Sequence, residues 1–201
     1  MPDRGQVLVV CRANVCRSPT LALLLGRYPG LDIEVRTAGW RADPRLSWCD
    51  QIRALVPPGP DADDLAATHR PIPLSPHQVA EADLVLAADR RTRAEIARMA
   101  PALTARTFTA IEAAHLLAAV AAQASTAGVP LTEIATRLDD VRGLVELPAA
   151  RESRWPWRVR PGVDLLDPHS TAHRVTHRQL LPRLEQVAAS LAAGLDHSAG
   201  R

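Results

Sequence analysis

The chain has 201 residues, 47% of them hydrophobic, and a formal net charge of +2 at pH 7. These values are typical of one globular domain that can bury a core. They exclude the strongly basic surface of a nucleic-acid or membrane binder, and three cysteines are too few for a disulfide framework. The first residues lack the apolar region of a signal peptide, and no apolar run could span a bilayer. We therefore expect a cytoplasmic protein with no nucleic-acid or membrane partner, in a reducing compartment.

The first predicted elements surround a loop with a thiol at one end and a guanidinium at the other. The apolar run 7–10 predicts a buried strand ending at Cys11, and a helical pattern follows over about 18–28. Backbone amides in such a loop, together with a helix N-terminus, can bind a tetrahedral oxyanion. Arg17 can donate to two of its oxygens, and the same field favours Cys11 as a nucleophilic thiolate. The stretch predicts a phosphate held against a reactive sulfur.

Strands and helices then alternate, which predicts a parallel α/β sheet. The expected strands cover about 6–11, 32–37, 82–89 and 106–109. The expected helices cover about 18–28, 46–55, 78–81, 90–99, 111–124, part of 132–147, and 171–195. Residues 65–74 read as irregular, and 148–162 as a loop whose Trp155 and Trp157 either pack it down or line a site. Ligands of such sheets bind beyond the carboxyl ends of the strands, where Cys11 falls.

The loop resembles the phosphate-binding loop of the low-molecular-weight protein tyrosine phosphatases, Cys-x-Gly-Asn-x-Cys-Arg-Ser-Pro after an apolar strand. The matching residues are Cys11, Asn14, Cys16, Arg17, Ser18 and Pro19. Ala13 stands where the family has glycine, and a positive φ at an alanine costs roughly 1 kcal/mol. Arg12, Ala13 and Val15 would complete the phosphate cradle. The resemblance implies a three-layer α/β/α fold with a central four-stranded parallel sheet.

The resemblance covers about 6–110 and again 163 onward. It implies one domain over residues 1–201, with a helical and loop elaboration at about 111–162.

Hydrolysis of a phosphate ester needs a proton donor on the far side of the phosphorus. Asp167-Pro168 follows an apolar stretch near the end of the chain. It matches, in order and setting, the Asp-Pro that supplies the general acid in the family. Asp43-Pro44 offers the same dipeptide, but in the wrong place.

Further polar residues match the network that braces the loop in the family. These are Asn14, Thr37 and His69, while the Ser18 hydroxyl would donate to the Cys11 sulfur. The resemblance implies that this donation stabilises the sulfur as a leaving group.

Two rings are candidates for a substrate wall. Trp40 directly follows a turn near the site, and His169 stands where the family often has an aromatic residue after Asp-Pro. A packed surface tryptophan and a solvated loop histidine are the alternatives.

No cysteine and histidine cluster at ligand spacing appears in the sequence, so we expect no metal and no cofactor. Cys49 reads as a buried apolar residue, and Cys16 could form a protective disulfide with Cys11.

The resemblance implies a phosphomonoester hydrolase that acts on a phosphotyrosine protein or a small aryl phosphate through a phosphocysteine. Three alternatives stay open. An arsenate reductase shares the fold, although no cysteine follows Cys49 to build the thioredoxin-coupled relay. A protein-arginine phosphatase would have threonine where this chain has Val15. A phosphate-binding module without strong catalysis would fit Ala13, His169 and the placement of Arg70 beside His69. The oligomeric state is not defined by the sequence.

Overall fold

A four-stranded parallel sheet lies at the centre of the computed structural model, which describes residues 4–151, 160–171 and 175–195. Its strands are β1 (Gly5–Cys11), β2 (Ile33–Gly39), β3 (Leu84–Ala87) and β4 (Thr107–Thr109), in the order β2-β1-β3-β4. The central strand β1 is buried from Val7 to Cys11, as expected for a parallel strand covered on both faces. A separate antiparallel pair joins β5 (Ala150–Arg151) and β6 (Arg160–Pro161).

Helices cover both faces of the sheet. They are α1 (Arg17–Gly26), α2 (Asp50–Arg53), α3 (Pro60–Thr68), α4 (Pro76–Glu81), α5 (Arg90–Met99), α6 (Ala110–Gln123), α7 (Leu131–Asp140) and α8 (His177–Leu195), with a 3₁₀ helix at Pro101–Arg106. Within the described ranges, no helix combines the length and the apolar character needed to cross a bilayer.

Successive side chains of β1 point to opposite faces of the sheet. Val7, Val9 and Cys11 pack in a large cluster with α1, α6, α7 and α8. Leu8 and Val10 pack in a smaller cluster with residues of α4 and α5. This arrangement confirms the expected three-layer α/β/α fold, and it places Cys11 at the carboxyl edge of the central strand.

Two local expectations were wrong. The helix expected over 46–55 is restricted to α2, because the residues before it are tied to the first loop and helix. The Cys49 amide donates to the Val15 carbonyl at 2.9 Å, and the Trp48 indole donates to the Thr20 hydroxyl at 3.0 Å.

Residues 65–74, which were expected to be irregular, contain the end of α3, which begins at Pro60. Proline lacks only an N–H that a first helical turn leaves unpaired, so it starts this helix rather than breaking it.

The residues predicted as an elaboration supply two core helices. Eight residues of α6 and four of α7 are buried, and both helices belong to the same cluster as β1. Helix α6 approaches α8 closely at Gly194, where an added Cβ would lie 2.8 Å from the Leu117 Cβ. Trp155 and Trp157 lie outside the described residues.

Gly39 ends β2 directly against the first loop. A Cβ there would lie 2.7 Å from the Asn14 amide nitrogen and 2.9 Å from the Arg12 carbonyl oxygen. Both neighbours are backbone atoms, so they can move only if the loop moves. Any side chain at position 39 therefore distorts the candidate phosphate loop.

We predict that Gly39→Ala lowers the free energy of unfolding by about 1–3 kcal/mol, as overpacking commonly does. The matched control is Gly26→Ala at the end of α1, where an added Cβ meets nothing within 4 Å, and it should be neutral or stabilising by up to about 1 kcal/mol. Urea unfolding of both variants measures the difference. Equal stabilities would show that the loop accommodates a side chain at position 39.

Candidate active site

The Cys11 sulfur lies at the carboxyl end of β1 and accepts two hydrogen bonds from the loop that follows. The Asn14 amide donates at 3.2 Å and the Ser18 hydroxyl at 3.1 Å. The sulfur belongs to a buried residue that is 2% exposed. The two donors therefore fix the position of the sulfur at the start of the loop.

Asn14 holds the loop in shape. Its side-chain amide donates to the Ser18 hydroxyl at 2.9 Å, and its side-chain oxygen accepts from the Ile72 amide at 2.8 Å. The Asn14 carbonyl lies 2.7 Å from His69 Nε2. Asn14 also has a φ of 56°, a conformation that asparagine tolerates better than most residues. The structure thus brings Asn14 and Ser18 to the Cys11 sulfur, and His69 contacts the loop through the Asn14 carbonyl.

Ala13 does not have the positive φ that would cost free energy at an alanine. Among the described non-glycine residues, Asn14 alone has a positive φ. Ala13 therefore adopts a backbone conformation that alanine accepts without strain, and the glycine of the family pattern is not needed for this loop shape.

Arg17 is the buried cation of the site and is only 3% exposed. Its Nη1 donates to the Asp89 carboxylate at 2.5 Å and to the Leu165 carbonyl at 3.0 Å, and its Nη2 donates to the Asp167 carboxylate at 2.7 Å. Burial lowers the pKa of Arg17. The charges of Cys11, Asp167 and Asp89 raise it by more than burial lowers it, so the pKa lies above its ordinary value. The guanidinium is therefore charged at any physiological pH.

Two donors of Arg17 remain available for a ligand. A guanidinium has five N–H groups, and three of them have partners in the described part of the chain. The Nε–H and one Nη2–H are left. Both can donate to the oxygens of an oxyanion.

Asp89 is a functional residue that the sequence reasoning missed. It lies two residues after β3, the neighbour of β1 in the sheet, and its second oxygen accepts from the Thr92 amide at 2.6 Å to cap α5. The available signal was an acidic residue at the carboxyl end of a buried strand, next to the strand that carries Cys11. One carboxylate thus starts a helix and orients the Arg17 guanidinium.

Asp167 and Arg17, bonded to each other, both line a small cavity of about 190 Å³. Its other oxygen accepts from the His169 amide at 3.0 Å, so the carboxylate is held by its own loop. The cavity is lined by Arg12, Arg17, Asp89, Arg91, Asp164, Leu166, Asp167 and Ser170. Its charged lining residues are three arginines and three aspartates. The arginines are the groups that can bind an anionic ligand.

The remaining candidates lie at different distances from this cavity. The Trp40 ring stacks with Arg41 at 5.2 Å and with Arg91 at 5.3 Å from its centroid, so it supports the rim of the cavity through Arg91. Thr37 pairs with Val9 in the sheet and makes no side-chain hydrogen bond within the described ranges, so the structure does not bring it into the Asn14 network.

His169 does not line the cavity. It is exposed, as the solvated-loop alternative expects. Its ring also meets the His177 ring edge-on, with the centroids 4.8 Å apart, a contact that neither interpretation predicted.

The fold forms a cysteine and histidine cluster that has no ligand spacing in the sequence. Cys16, Cys49, His169 and His177 bring one ligand atom each within 4.8 Å of one another. Cys49 is therefore more than an apolar core residue. A shared hydrogen bond with Cys49, followed by burial, raises the pKa of Cys16, and the same bond lowers the pKa of Cys49 to about 5. The four residues are far apart in the sequence, which is why spacing did not reveal them.

A family model described as low molecular weight phosphotyrosine protein phosphatase matches residues 6–114. The match covers more than half of the chain and includes Cys11, Asn14 and Arg17. The chain belongs to this family. It is therefore a cysteine-dependent phosphatase, as the resemblance implied. No curated protein matches the chain in a direct comparison of sequences.

Solved structures of this family have the same fold. A YwlE mutant from Bacillus subtilis aligns with a TM-score of 0.60 at 23% identity, over 95% of this chain and 98% of that one. The tyrosine phosphatase AmsI of Erwinia amylovora gives 0.58 at 17% identity, over 96% and 94%. The tyrosine phosphatase Wzb of Escherichia coli K30, in complex with phosphate, gives 0.57 at 18%, over 96% and 99%.

We predict that Asp89→Asn lowers kcat/KM for an aryl phosphate by at least about 10-fold. The substitution replaces the ion pair between Arg17 and Asp89 by a weaker hydrogen bond to a neutral amide. Asparagine still caps α5, but the buried Arg17 guanidinium loses one of its two charged partners, so the melting temperature should fall as well. The control is Asp61→Asn, which breaks the exposed Arg27–Asp61 pair and should leave kcat/KM unchanged. Steady-state assays of both variants would contradict the role of Asp89 if their kcat/KM values were equal.

Proposed function

We propose that this phosphatase hydrolyses aryl phosphomonoesters, including phosphotyrosine in proteins, with Cys11 as nucleophile, Arg17 as phosphate ligand and Asp167 as general acid and base. The observation that carries the proposal is the junction of three groups: a buried sulfur with two donors aimed at it, a buried guanidinium, and a carboxylate bonded to that guanidinium.

In the first step the Cys11 thiolate attacks phosphorus in line with the leaving oxygen. The S–P bond forms, the P–O bond breaks, and Asp167 gives its proton to the leaving oxygen. In the second step Asp167 takes a proton from a water molecule as that water attacks phosphorus. The S–P bond breaks, inorganic phosphate leaves, and Cys11 returns as a thiolate that accepts from the Ser18 hydroxyl.

The phosphoryl oxygens need donors throughout, because charge spreads over them in the transition state. The Nε–H and the free Nη2–H of Arg17 supply two. The amides of the loop between Cys11 and Arg17, including those of Arg12, Ala13, Val15 and Cys16, supply the others. The Asn14 amide is already bonded to the sulfur.

Substrate binding changes the role of Asp167. In the free protein its carboxylate accepts from Arg17 Nη2 at 2.7 Å. A phosphate dianion on the same guanidinium would repel a second anion there. An Asp167 that carries a proton avoids this repulsion and can remain beside the leaving oxygen, which is the form that a general acid requires.

The surroundings favour an aryl leaving group. Trp40 and its stacked arginines lie at the rim of the cavity, where an aromatic ring can pack against arginine planes. All three cysteines are free in the structure, and the reaction needs Cys11 as a thiol. For this reason we infer that the protein works in a reducing compartment such as the cytoplasm.

Phosphoarginine is the second candidate substrate, because structures of an arginine phosphatase, YwlE, share this fold. Val15 opposes it, since valine has no hydroxyl to meet a guanidinium. An arsenate reductase would need a thiol partner from outside the chain, because the sequence has no cysteine after Cys49.

We predict that phosphotyrosine peptide and p-nitrophenyl phosphate are hydrolysed faster than phosphoarginine peptide, and that arsenate causes no consumption of added thiols. Cys11→Ser supplies the blank for every substrate, and its rates should fall to background. Phosphate release and thiol oxidation are measured on the same preparation. A preference for phosphoarginine, arsenate-dependent loss of thiols, or equal rates in wild type and Cys11→Ser would contradict the proposal.

We predict that Asp167→Asn lowers kcat/KM by about 10²–10⁴-fold for phenyl phosphate, the usual range for a lost general acid. The loss of kcat/KM should be much smaller for p-nitrophenyl phosphate, because its leaving group departs without a proton. Asp43→Asn, at the other Asp-Pro dipeptide, should leave both rates unchanged. Equal losses for the two esters would mean that Asp167 only positions Arg17.

A further inference from the structure

We propose that Cys16, Cys49, His169 and His177 form a structural zinc site next to the active site. Their ligand atoms lie within 4.8 Å of one another. This proposal does not rest on the proposed catalytic function, since none of the four residues is given a chemical step there.

The distances match a tetrahedral ion. Zinc bonds of about 2.0–2.1 Å to nitrogen and about 2.3 Å to sulfur separate two nitrogens by about 3.3 Å, and a nitrogen from a sulfur by about 3.6 Å. His177 Nε2 lies 3.3 Å from His169 Nε2 and 3.3 Å from Cys49 Sγ. These two distances lie within about 0.3 Å of the tetrahedral values, and the other ligand atoms are at most 4.8 Å apart.

The contacts of His177 Nε2 are difficult to explain by hydrogen bonds alone. A ring nitrogen has either one proton or one lone pair in the ring plane, so it can make one good hydrogen bond. Two polar atoms nevertheless lie 3.3 Å from it, one on His169 and one on Cys49. An ion between them would satisfy all of these atoms at once.

The chemistry of the donor set selects zinc. Two thiolates and two imidazoles form the common closed shell of structural zinc sites. Two thiolates also neutralise the ion, so its burial leaves no net charge; the two thiols release up to two protons as they bind. Cys16, Cys49 and His177 are each at most 8% exposed, whereas His169 is exposed and marks the side from which an ion can enter.

The ion would join four segments of the active-site region. Cys16 precedes Arg17 in the phosphate loop, Cys49 precedes α2, and His177 begins α8. His169 follows Asp167 closely, and its amide holds the Asp167 carboxylate. Zinc would therefore fix the segment that carries the general acid to the loop that carries the nucleophile.

The test uses the full chain, reduced and freed of metal, and titrated with Zn²⁺ alone and with Co²⁺ alone. We expect one zinc per chain, a higher melting temperature with zinc, and the visible absorption bands of tetrahedral cobalt with thiolate ligands. His169→Ala and Cys49→Ser should each weaken zinc binding by at least about 10-fold and remove the cobalt bands. Because His169 is exposed, its variant should keep the melting temperature of the metal-free wild type.

Two controls locate the ion. His77→Ala removes a histidine that is 78% exposed on α4, and Cys11→Ser removes the thiol outside the cluster; both should bind zinc as the wild type does. Less than one zinc per chain, equal binding by His169→Ala and His77→Ala, or loss of binding in Cys11→Ser would overturn the site. Hydrolysis of p-nitrophenyl phosphate by the metal-free protein is measured in parallel, so that failure of the zinc site is distinguished from failure of the proposed function.

Discussion

The buried guanidinium of Arg17 is the interaction on which the rest of the site depends. A cation that is 3% exposed needs charged partners, since burying an unpaired charge costs several kcal/mol. Asp89 provides one from the end of β3, and Asp167 provides the other from a distant part of the chain. The requirement to neutralise Arg17 therefore brings the general-acid candidate to the phosphate loop, even though 150 positions separate them in the sequence.

The same pairing sets a condition for catalysis. Asp89 and the Leu165 carbonyl occupy Nη1, so they can hold the guanidinium while its remaining N–H groups bind phosphate. Asp167 bonds to Nη2, so its charge lies next to the donors that a ligand oxygen would use. Its contact is consequently the one that a substrate must modify. Asp89 therefore orients the Arg17 guanidinium, while Asp167 can leave it and transfer a proton to or from the substrate.

The central part of the fold could be predicted from the sequence because it is encoded locally. An uninterrupted apolar run gave β1, alternating strands and helices gave the parallel sheet, and the Cys11-to-Arg17 spacing gave the loop. Contacts between distant residues were not predictable in this way. Asp89 carries no motif, and the segment before α2 is held by bonds to Val15 and Thr20 that override its helical pattern. The cysteine and histidine cluster draws on four separate segments, so no spacing in the sequence reveals it.

The most direct test of the account is whether phosphate becomes attached to the Cys11 sulfur during turnover. An Asp167→Ala variant lacks the base for the second step, so it should accumulate the intermediate when mixed with p-nitrophenyl phosphate and quenched in acid. Mass spectrometry of the digested protein should then find the added phosphate on the peptide that contains Cys11, and no phosphopeptide when Cys11 is replaced by alanine in the same variant. Phosphate on another residue, or rapid turnover with Cys11 absent, would contradict the account.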